Sequence, residues 1–240
     1  MEPVRAVFLS DAHLGLPTDD HYGRMLAFLA GLDGISDLFL LGDVFAYWMG
    51  FSRVPARYAP VVERLAALHE RGVRLHYVEG NHDMDVAPYF AGQLGADVHP
   101  ERMEITLCGR RLLLMHGDTV DRDDRGYRFL RAFLRSLPMK ILTRVLKPET
   151  VLKVADRYTL HKAGKVYAAS HLPALMERYA RERWAEGYDG VVMGHCHREA
   201  FVTETLEGRG VFYCNLGDWL TKFTYLTLDA DGPRFERFAP

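Results

Sequence analysis

Five short polar clusters run along the chain in order: Asp11-Ala12-His13, Gly42-Asp43, Gly80-Asn81-His82-Asp83, His116-Gly117-Asp118 and Gly194-His195-Cys196-His197. Nearly all follow an apolar run. Asp11 and Asp43 offer anionic oxygens, and a carboxylate directly after glycine has room to bridge two ions. His13, His116, His195 and His197 offer imidazole nitrogens, which favour transition metals over magnesium or calcium. Asn81 adds a neutral carbonyl oxygen. Such a mixed O and N set suits two divalent cations held close together. The chemistry would be activation of a water and attack on a phosphate ester or anhydride.

Each cluster alone says little. Asp-x-His is a common surface triplet, Gly-Asp a common turn, and Gly-Asn-His-Asp could be a turn with capping side chains. Gly-His-Cys-His could be half of a zinc site, but no second Cys/His pair lies nearby to complete one. The weight is in five clusters in one order, most of them at the ends of strand-like runs. Cys196, between two candidate ligands, reads as a small packed residue rather than a nucleophile.

The elements that must position these side chains follow from hydrophobic periodicity. Residues 5–10, 37–41 and 74–78 read as buried strands. Residues 21–32 and 56–71 read as helices, the second carrying Val61, Val62, Leu65 and Leu68 on one face and closed by Gly72. This β-α-β-α-β alternation implies parallel strands with crossover helices, so ligands gather beyond the carboxyl ends of the strands. A short helix near 87–94 precedes a hairpin of 103–107 and 111–115 around Gly109. Further strands are expected at 190–193, 200–205, 211–215, 223–228 and 234–238. Between these blocks the pattern is helical, with breaks at Pro138, Pro148 and Pro173.

The 240 residues suffice for one large domain, 1–240, with an inserted basic helical lid over 120–187. The net charge of -2 hides an asymmetry: residues 120–185 hold 15 Lys/Arg against 7 Asp/Glu. The insertion joins these cations to apolar side chains such as Phe129, Leu130, Phe133, Leu134, Ile141, Leu142 and Leu146. An amphipathic basic surface suits a phosphorylated lipid and an anionic bilayer face. Residues 170–186 read as a packing helix. Three cysteines at irregular spacing fit a reducing cytoplasm. No apolar run reaches membrane-span length, and the N-terminus lacks a secretory pattern. The expected location is the cytoplasm, peripheral on the inner face of the inner membrane. No aromatic-basic nucleic-acid motif is present, so no nucleic-acid partner is expected, nor an obligate protein partner.

The series of five clusters resembles the calcineurin-like metallophosphoesterase superfamily, whose pattern is Asp-x-His, Gly-Asp, Gly-Asn-His-Asp/Glu, His and Gly-His-x-His. The resemblance implies an α/β two-sheet sandwich flanked by helices, with two metals at its edge. It places Asp11, His13, Asp43 and His197 on one metal. Asp43, Asn81, His116 and His195 would hold the other, with Asp43 bridging. Two divalent ions are implied, manganese by resemblance, with iron or zinc fitting the same donors. His82 is implied as a catalytic residue, stabilising the transition state or helping as a general acid, with Asp83 beside it to hold it.

Three local features resemble the UDP-2,3-diacylglucosamine pyrophosphohydrolases, which cut a diphosphate to UMP and diacylglucosamine 1-phosphate. They are the aromatic extension of the second cluster (Val44-Phe45-Ala46-Tyr47-Trp48), the Asp-x-Gly-Tyr segment after the fourth, and the helical insertion. The resemblance implies substrate contacts from Asn81, His82, Asp124, Tyr127 and His195, with Arg157, Lys162 and Lys165 on the sugar phosphate and a lid over acyl chains. The chain departs from the best-known branch in carrying His82 where that branch has Arg. Another nucleoside-diphosphate or phospholipid-like substrate therefore stays open. So does a general phosphodiesterase or phosphatase on soluble substrates. A non-catalytic metal scaffold is disfavoured by the complete ligand series.

Overall fold

A computed structural model describes residues 5–160 and 171–239. The first half runs β1 (Ala6–Leu9), α1 (Asp20–Ala30), β2 (Asp37–Leu41), β3 (Trp48–Met49), α2 (Ala59–Glu70), β4 (Arg74–Val78), β5 (Asp83–Met84), α3 (Ala87–Phe90) and β6 (Asp97–His99). The hairpin β7 (Arg102–Leu107) and β8 (Arg110–Met115) follows. Then come α4 (Arg125–Leu134), α5 (Leu137–Val145), α6 (Pro148–Leu160) and α7 (Leu172–Ala185). The chain closes with β9 (Gly190–Met193), β10 (Ala200–Leu206), β11 (Arg209–Asn215), β12 (Thr224–Asp229) and β13 (Gly232–Arg237).

Two sheets form a sandwich. One has the order β13-β12-β1-β2-β4-β6, the other β10-β11-β9-β8-β7. In the first, β1, β2, β4 and β6 are parallel neighbours; in the second, β8, β9 and β11 are. Side chains alternate across each strand, so one residue set fills the space between sheets and the other meets helices. Ala6, Phe8, Phe39, Leu41 and Val78 face Leu112, Leu114, Val192 and Phe212 of the second sheet. Val7, Leu9, Leu38 and Leu40 pack instead against Met25, Phe28 and Leu29 of α1 and Val61, Val62 and Leu65 of α2. On the outer face of the second sheet, Met176, Ala180 and Trp184 of α7 cover Leu113, Val191 and Tyr213.

The structure differs from the periodicity in a few places. Residues 56–58 form a 3₁₀ turn before α2. The three-residue β6 and the two-residue pair β3–β5 were not expected, being too short for alternation to register. Pro138, Pro148 and Pro173 begin helices instead of breaking them, each in the first turn, where a missing N–H costs nothing. Helices α4–α6 carry little buried surface of their own: α4 buries no residue and α5 only Thr143. They are tied to the core by ion pairs, among them Arg57–Asp156 at 3.0 Å, Lys140–Asp85 at 3.2 Å and Arg144–Asp85 at 3.1 Å.

Candidate metal centre

All the expected ligands emerge just beyond the carboxyl ends of parallel strands: Asp11 and His13 after β1, Asp43 after β2, Asn81 after β4, His116 after β8, and His195 and His197 after β9. Two sheets thus converge on one edge. The chain must turn back sharply there, and the backbone records it. Nine non-glycine residues among those described have positive φ, and five are Asp11, His13, Asp43, His195 and His197. Left-handed backbone at bulky or β-substituted residues costs free energy and persists where surrounding contacts fix it, commonly at functional sites. Two of the nearby glycines serve a different need. Gly194 and Gly80 have ordinary φ, but a Cβ on Gly194 would strike Asp11 Oδ2 and Ser10 Oγ, and one on Gly80 would strike Asp43.

The donors come together around two carboxylates. His13 Nε2 lies 3.1 Å from His197 Nε2, 3.9 Å from Asp11 Oδ1 and 3.7 Å from Asp43 Oδ2. His197 Nε2 lies 3.3 Å from Asp11 Oδ1. On the other side of Asp43, His116 Nε2 is 3.5 Å from the same Oδ2 and 3.1 Å from Asn81 Oδ1. The His195 ring stands 5.0 Å from that of His116. Asp43 Oδ2 is therefore shared between two groups of donors.

Several features fit divalent cations. Asp11 Oδ1 is buried and accepts no well-aligned hydrogen bond. The two imidazole nitrogens that face each other at 3.1 Å can share one proton as an N–H···N bond or turn both lone pairs to a cation. His116 Nδ1 donates to the Leu41 carbonyl at 2.9 Å, which leaves the Nε2 lone pair for a ligand, the arrangement that orients a metal-binding imidazole. Burial pushes His13 and His195 down to about 4, so both are neutral donors at neutral pH. Burial opposes the charge on Asp43, yet the surrounding histidines, His116 first, hold it well below the carboxylate range; burial likewise opposes charge on His116, and Asp43 lifts it well above the usual imidazole value. The carboxylates thus place a negative potential at His116 Nε2, which a cation in place of a proton would also satisfy. Three groups have ligand atoms within 4.8 Å of one another: Asp11–His13–His197, Asp11–Asp43–His116 and His13–Asp43–His82.

The third group brings His82 into ligand range, although the sequence reading kept it off the metals. Its backbone N–H donates to Asp43 Oδ1 at 2.8 Å and its Nδ1 donates to the Ala46 carbonyl at 2.9 Å, which leaves the Nε2 lone pair. Asp83 was expected to hold His82 and instead braces the loops. Its carboxylate accepts the N–H groups of Asp43, Val44 and Gly80 at 2.9, 2.7 and 2.8 Å and the Tyr77 hydroxyl at 2.5 Å. Burial, then the Asp43 charge, pushes Asp83 up to about 7.

The expected substrate residues are placed less uniformly. The Tyr127 ring lies 6.5 Å from that of His195, and its hydroxyl donates to Asp118. Asp124 is exposed and caps α4, accepting from the Tyr127 N–H at 2.8 Å. Arg157 is exposed near the end of α6. Lys162 and Lys165 lie outside the described residues. Cys196 is half-buried, with burial pushing its thiol up, and its Sγ points to the Arg198 carbonyl at 3.7 Å. Sequence reasoning missed three supports: Ser10, which donates to Asp11 Oδ2 at 2.5 Å; Tyr77; and Asn215, which donates to the Gly194 carbonyl at 2.8 Å.

Residues 4–199 match the calcineurin-like phosphoesterases. A UDP-2,3-diacylglucosamine hydrolase of Xanthomonas campestris pv. campestris is 30% identical over 98% of this chain and 100% of its own length. Proteins of the same name from Aeromonas salmonicida and Neisseria meningitidis serogroup B are each 29% identical. They cover 98% and 96% of this chain and 93% and 96% of their own lengths.

Proposed function

The chain belongs to the calcineurin-like phosphoesterase family, and from that premise we propose that it cleaves the diphosphate of UDP-2,3-diacylglucosamine to UMP and 2,3-diacylglucosamine 1-phosphate. That it is a metal-dependent phosphoester hydrolase follows from the family itself. The substrate rests on one observation above others: the likeness to UDP-2,3-diacylglucosamine hydrolases runs almost end to end, insertion included.

In this reading Asp11, His13, Asp43 and His197 hold one divalent ion and Asp43, Asn81, His116 and His195 the other, with manganese the proposed metal. Held there, two such ions would lower the pKa of a water and offset charge on the phosphoryl oxygens. The residues do the rest. Neutral His13 and His195 donate lone pairs without having to lose a proton first. Asp83 and Tyr77 keep the Asp43 and Gly80 turns in register. His82, with its Nδ1 proton committed to Ala46, presents Nε2 toward the phosphoryl group or its leaving oxygen. Asp124, Tyr127, Arg157, Lys162 and Lys165 remain the proposed contacts to the nucleotide-sugar and its phosphate.

Helices α4–α6 carry eight of the twelve exposed large hydrophobic residues among those described, and Leu146, between α5 and α6, is a ninth; Phe129, Leu137 and Val145 are 77%, 69% and 78% exposed. This supports a lid that meets acyl chains and the bilayer that supplies them. The proposed location is accordingly the cytoplasmic face of the inner membrane. No helix among the described residues is long and apolar enough to cross a membrane.

Turnover of UDP-2,3-diacylglucosamine against a panel of unacylated nucleotide sugars, with added manganese, tests the substrate. We expect the acylated compound to be preferred by at least ten-fold in kcat/KM. Equal or faster cleavage of unacylated compounds would replace this reading by a soluble phosphodiesterase, which His82 favours.

A further inference from the structure

We infer that α4 is a positioning element of the catalytic centre, in which Arg131 and Arg135 fix the two loops that carry His116 and Asn81–His82. The inference rests on the metal-dependent phosphoester hydrolysis proposed above and not on the identity of the lipid. Tyr127 and Arg131 of α4 and Arg135, the residue that caps its end, are spaced four apart along one side of the helix. Each meets a buried carboxylate two residues from an expected ligand. The Tyr127 hydroxyl and Arg131 Nε, at 3.0 Å, both donate to Asp118 Oδ2, two residues after His116. Arg131 Nη1 also donates to Glu101 Oε1 at 3.1 Å. Arg135 Nη1 donates to Glu79 Oε2 at 2.7 Å, two residues before Asn81. Glu79 and Asp118 are only 3% and 7% exposed.

Glu79 gives the pair its consequence. Its second oxygen accepts the Val86 N–H at 2.9 Å, so one carboxylate closes the loop from 79 to 86, which carries Asn81, His82 and Asp83. Arg135 is the cation that compensates this buried carboxylate. Without it an uncompensated buried charge remains. The carboxylate then turns toward water, and the loop loses its closure. A helix that only covered substrate would have no reason to reach these acids, and its loss would matter only for substrates that touch it. A positioning helix matters for every substrate, because small displacements of reacting groups are costly.

The test uses the full chain with manganese and a small soluble chromogenic phosphodiester, bis(4-nitrophenyl) phosphate, which has no acyl chain to meet a lid. Arg135→Ala is expected to lower kcat about 10- to 100-fold with KM changed by less than about three-fold, and Arg135→Lys to recover part of the loss. Arg128→Ala, on another face of the helix, leaves kcat within two-fold. In the metal-free protein, amide exchange at Val86 should quicken in Arg135→Ala while the sheet strands keep their protection. Glu79→Ala, which removes both the Arg135 partner and the acceptor for Val86, gives at least the same kcat loss, and adding Arg135→Ala to it costs little more. Unchanged turnover together with unchanged Val86 exchange would overturn the inference. So would faster exchange spread evenly over the sheets. Should the wild-type protein cleave the small ester and leave UDP-2,3-diacylglucosamine intact, the substrate reading fails and the role of Arg135 is still decided.

Discussion

Asp43 is the side chain on which both groups of donors depend. Its Oδ2 lies 3.7 Å from His13 Nε2 and 3.5 Å from His116 Nε2, and its Oδ1 takes the His82 N–H. Asp43→Ala should therefore lose both ions and all turnover, read by elemental analysis of the dialysed protein. Two ions retained with activity would remove Asp43 from the bridging place. His82→Ala separates two roles. As a group acting on phosphate it should cost about 10²- to 10⁴-fold in kcat with metal content unchanged. Because His82 shares a 4.8 Å group with His13 and Asp43, the metal count decides: loss of one ion would make it a ligand. At this scale the donors were legible because Asp, His and Asn beside glycine have few other reasons to cluster at strand ends. Their braces were not. Tyr77 sits within a strand whose pattern reads as core, and only the fold shows its hydroxyl reaching Asp83 six residues on. Asp83 was legible as a supporting acid, but what it supports depends on two loops meeting, which no local pattern encodes.

At the scale of elements, the helical insertion shows how charge counted along a chain can mislead. Residues 120–185 look like a cationic surface. In the structure Arg131, Arg135, Lys140 and Arg144 turn toward carboxylates of the core. The outward face joins exposed apolar side chains to the remaining cations, among them Arg125, Arg128, Lys147 and Lys153. Binding to phospholipid vesicles through this face should depend mainly on buried hydrocarbon, at roughly 25 cal/mol per Å², and only weakly on salt. Cosedimentation with vesicles of mixed neutral and anionic lipid, at low and at physiological salt, checks this. We expect Phe129→Asp with Val145→Asp to weaken binding at least ten-fold, and the salt change to weaken it by less than three-fold. A steep salt dependence with no effect of the two substitutions would return the interaction to charge. The proline-initiated helices teach the same lesson. Pro138, Pro148 and Pro173 marked boundaries correctly in sequence, but whether a proline ends or starts a helix depends on which side the following turn is satisfied.

Over the whole molecule, the alternating β-α pattern made one parallel sheet legible, while the partition into two sheets was not. That partition depends on which faces close on each other. β12 joins the first sheet antiparallel to β1 through Ala6–Leu228 and Phe8–Leu226, contacts more than two hundred residues apart in sequence. The edge opposite the metals carries its own buried charge, and it sets a pH limit on the sandwich. Asp37 opens β2, is 1% exposed, and accepts from Arg74 at 2.7 and 2.8 Å, from Ser36 at 2.8 Å and from His76 at 2.9 Å. Burial alone would raise its pKa, but those hydrogen bonds, His76 first, outweigh it and hold the folded value below the ordinary aspartate value of 3.8. The sign follows from linkage. Below 3.8 the unfolded chain takes the proton more readily than the folded one, so stability falls as pH falls. The contribution of Asp37 is complete above about pH 4 and is lost progressively as the pH drops through the folded value. In urea melts of the metal-free protein, Asp37→Asn should lower stability at pH 7. It should also flatten the decline between about pH 4 and pH 2, so that the two curves converge in acid. Parallel curves down to pH 2 would mean that Asp37 is neutral in the fold and that Arg74 is held by packing alone.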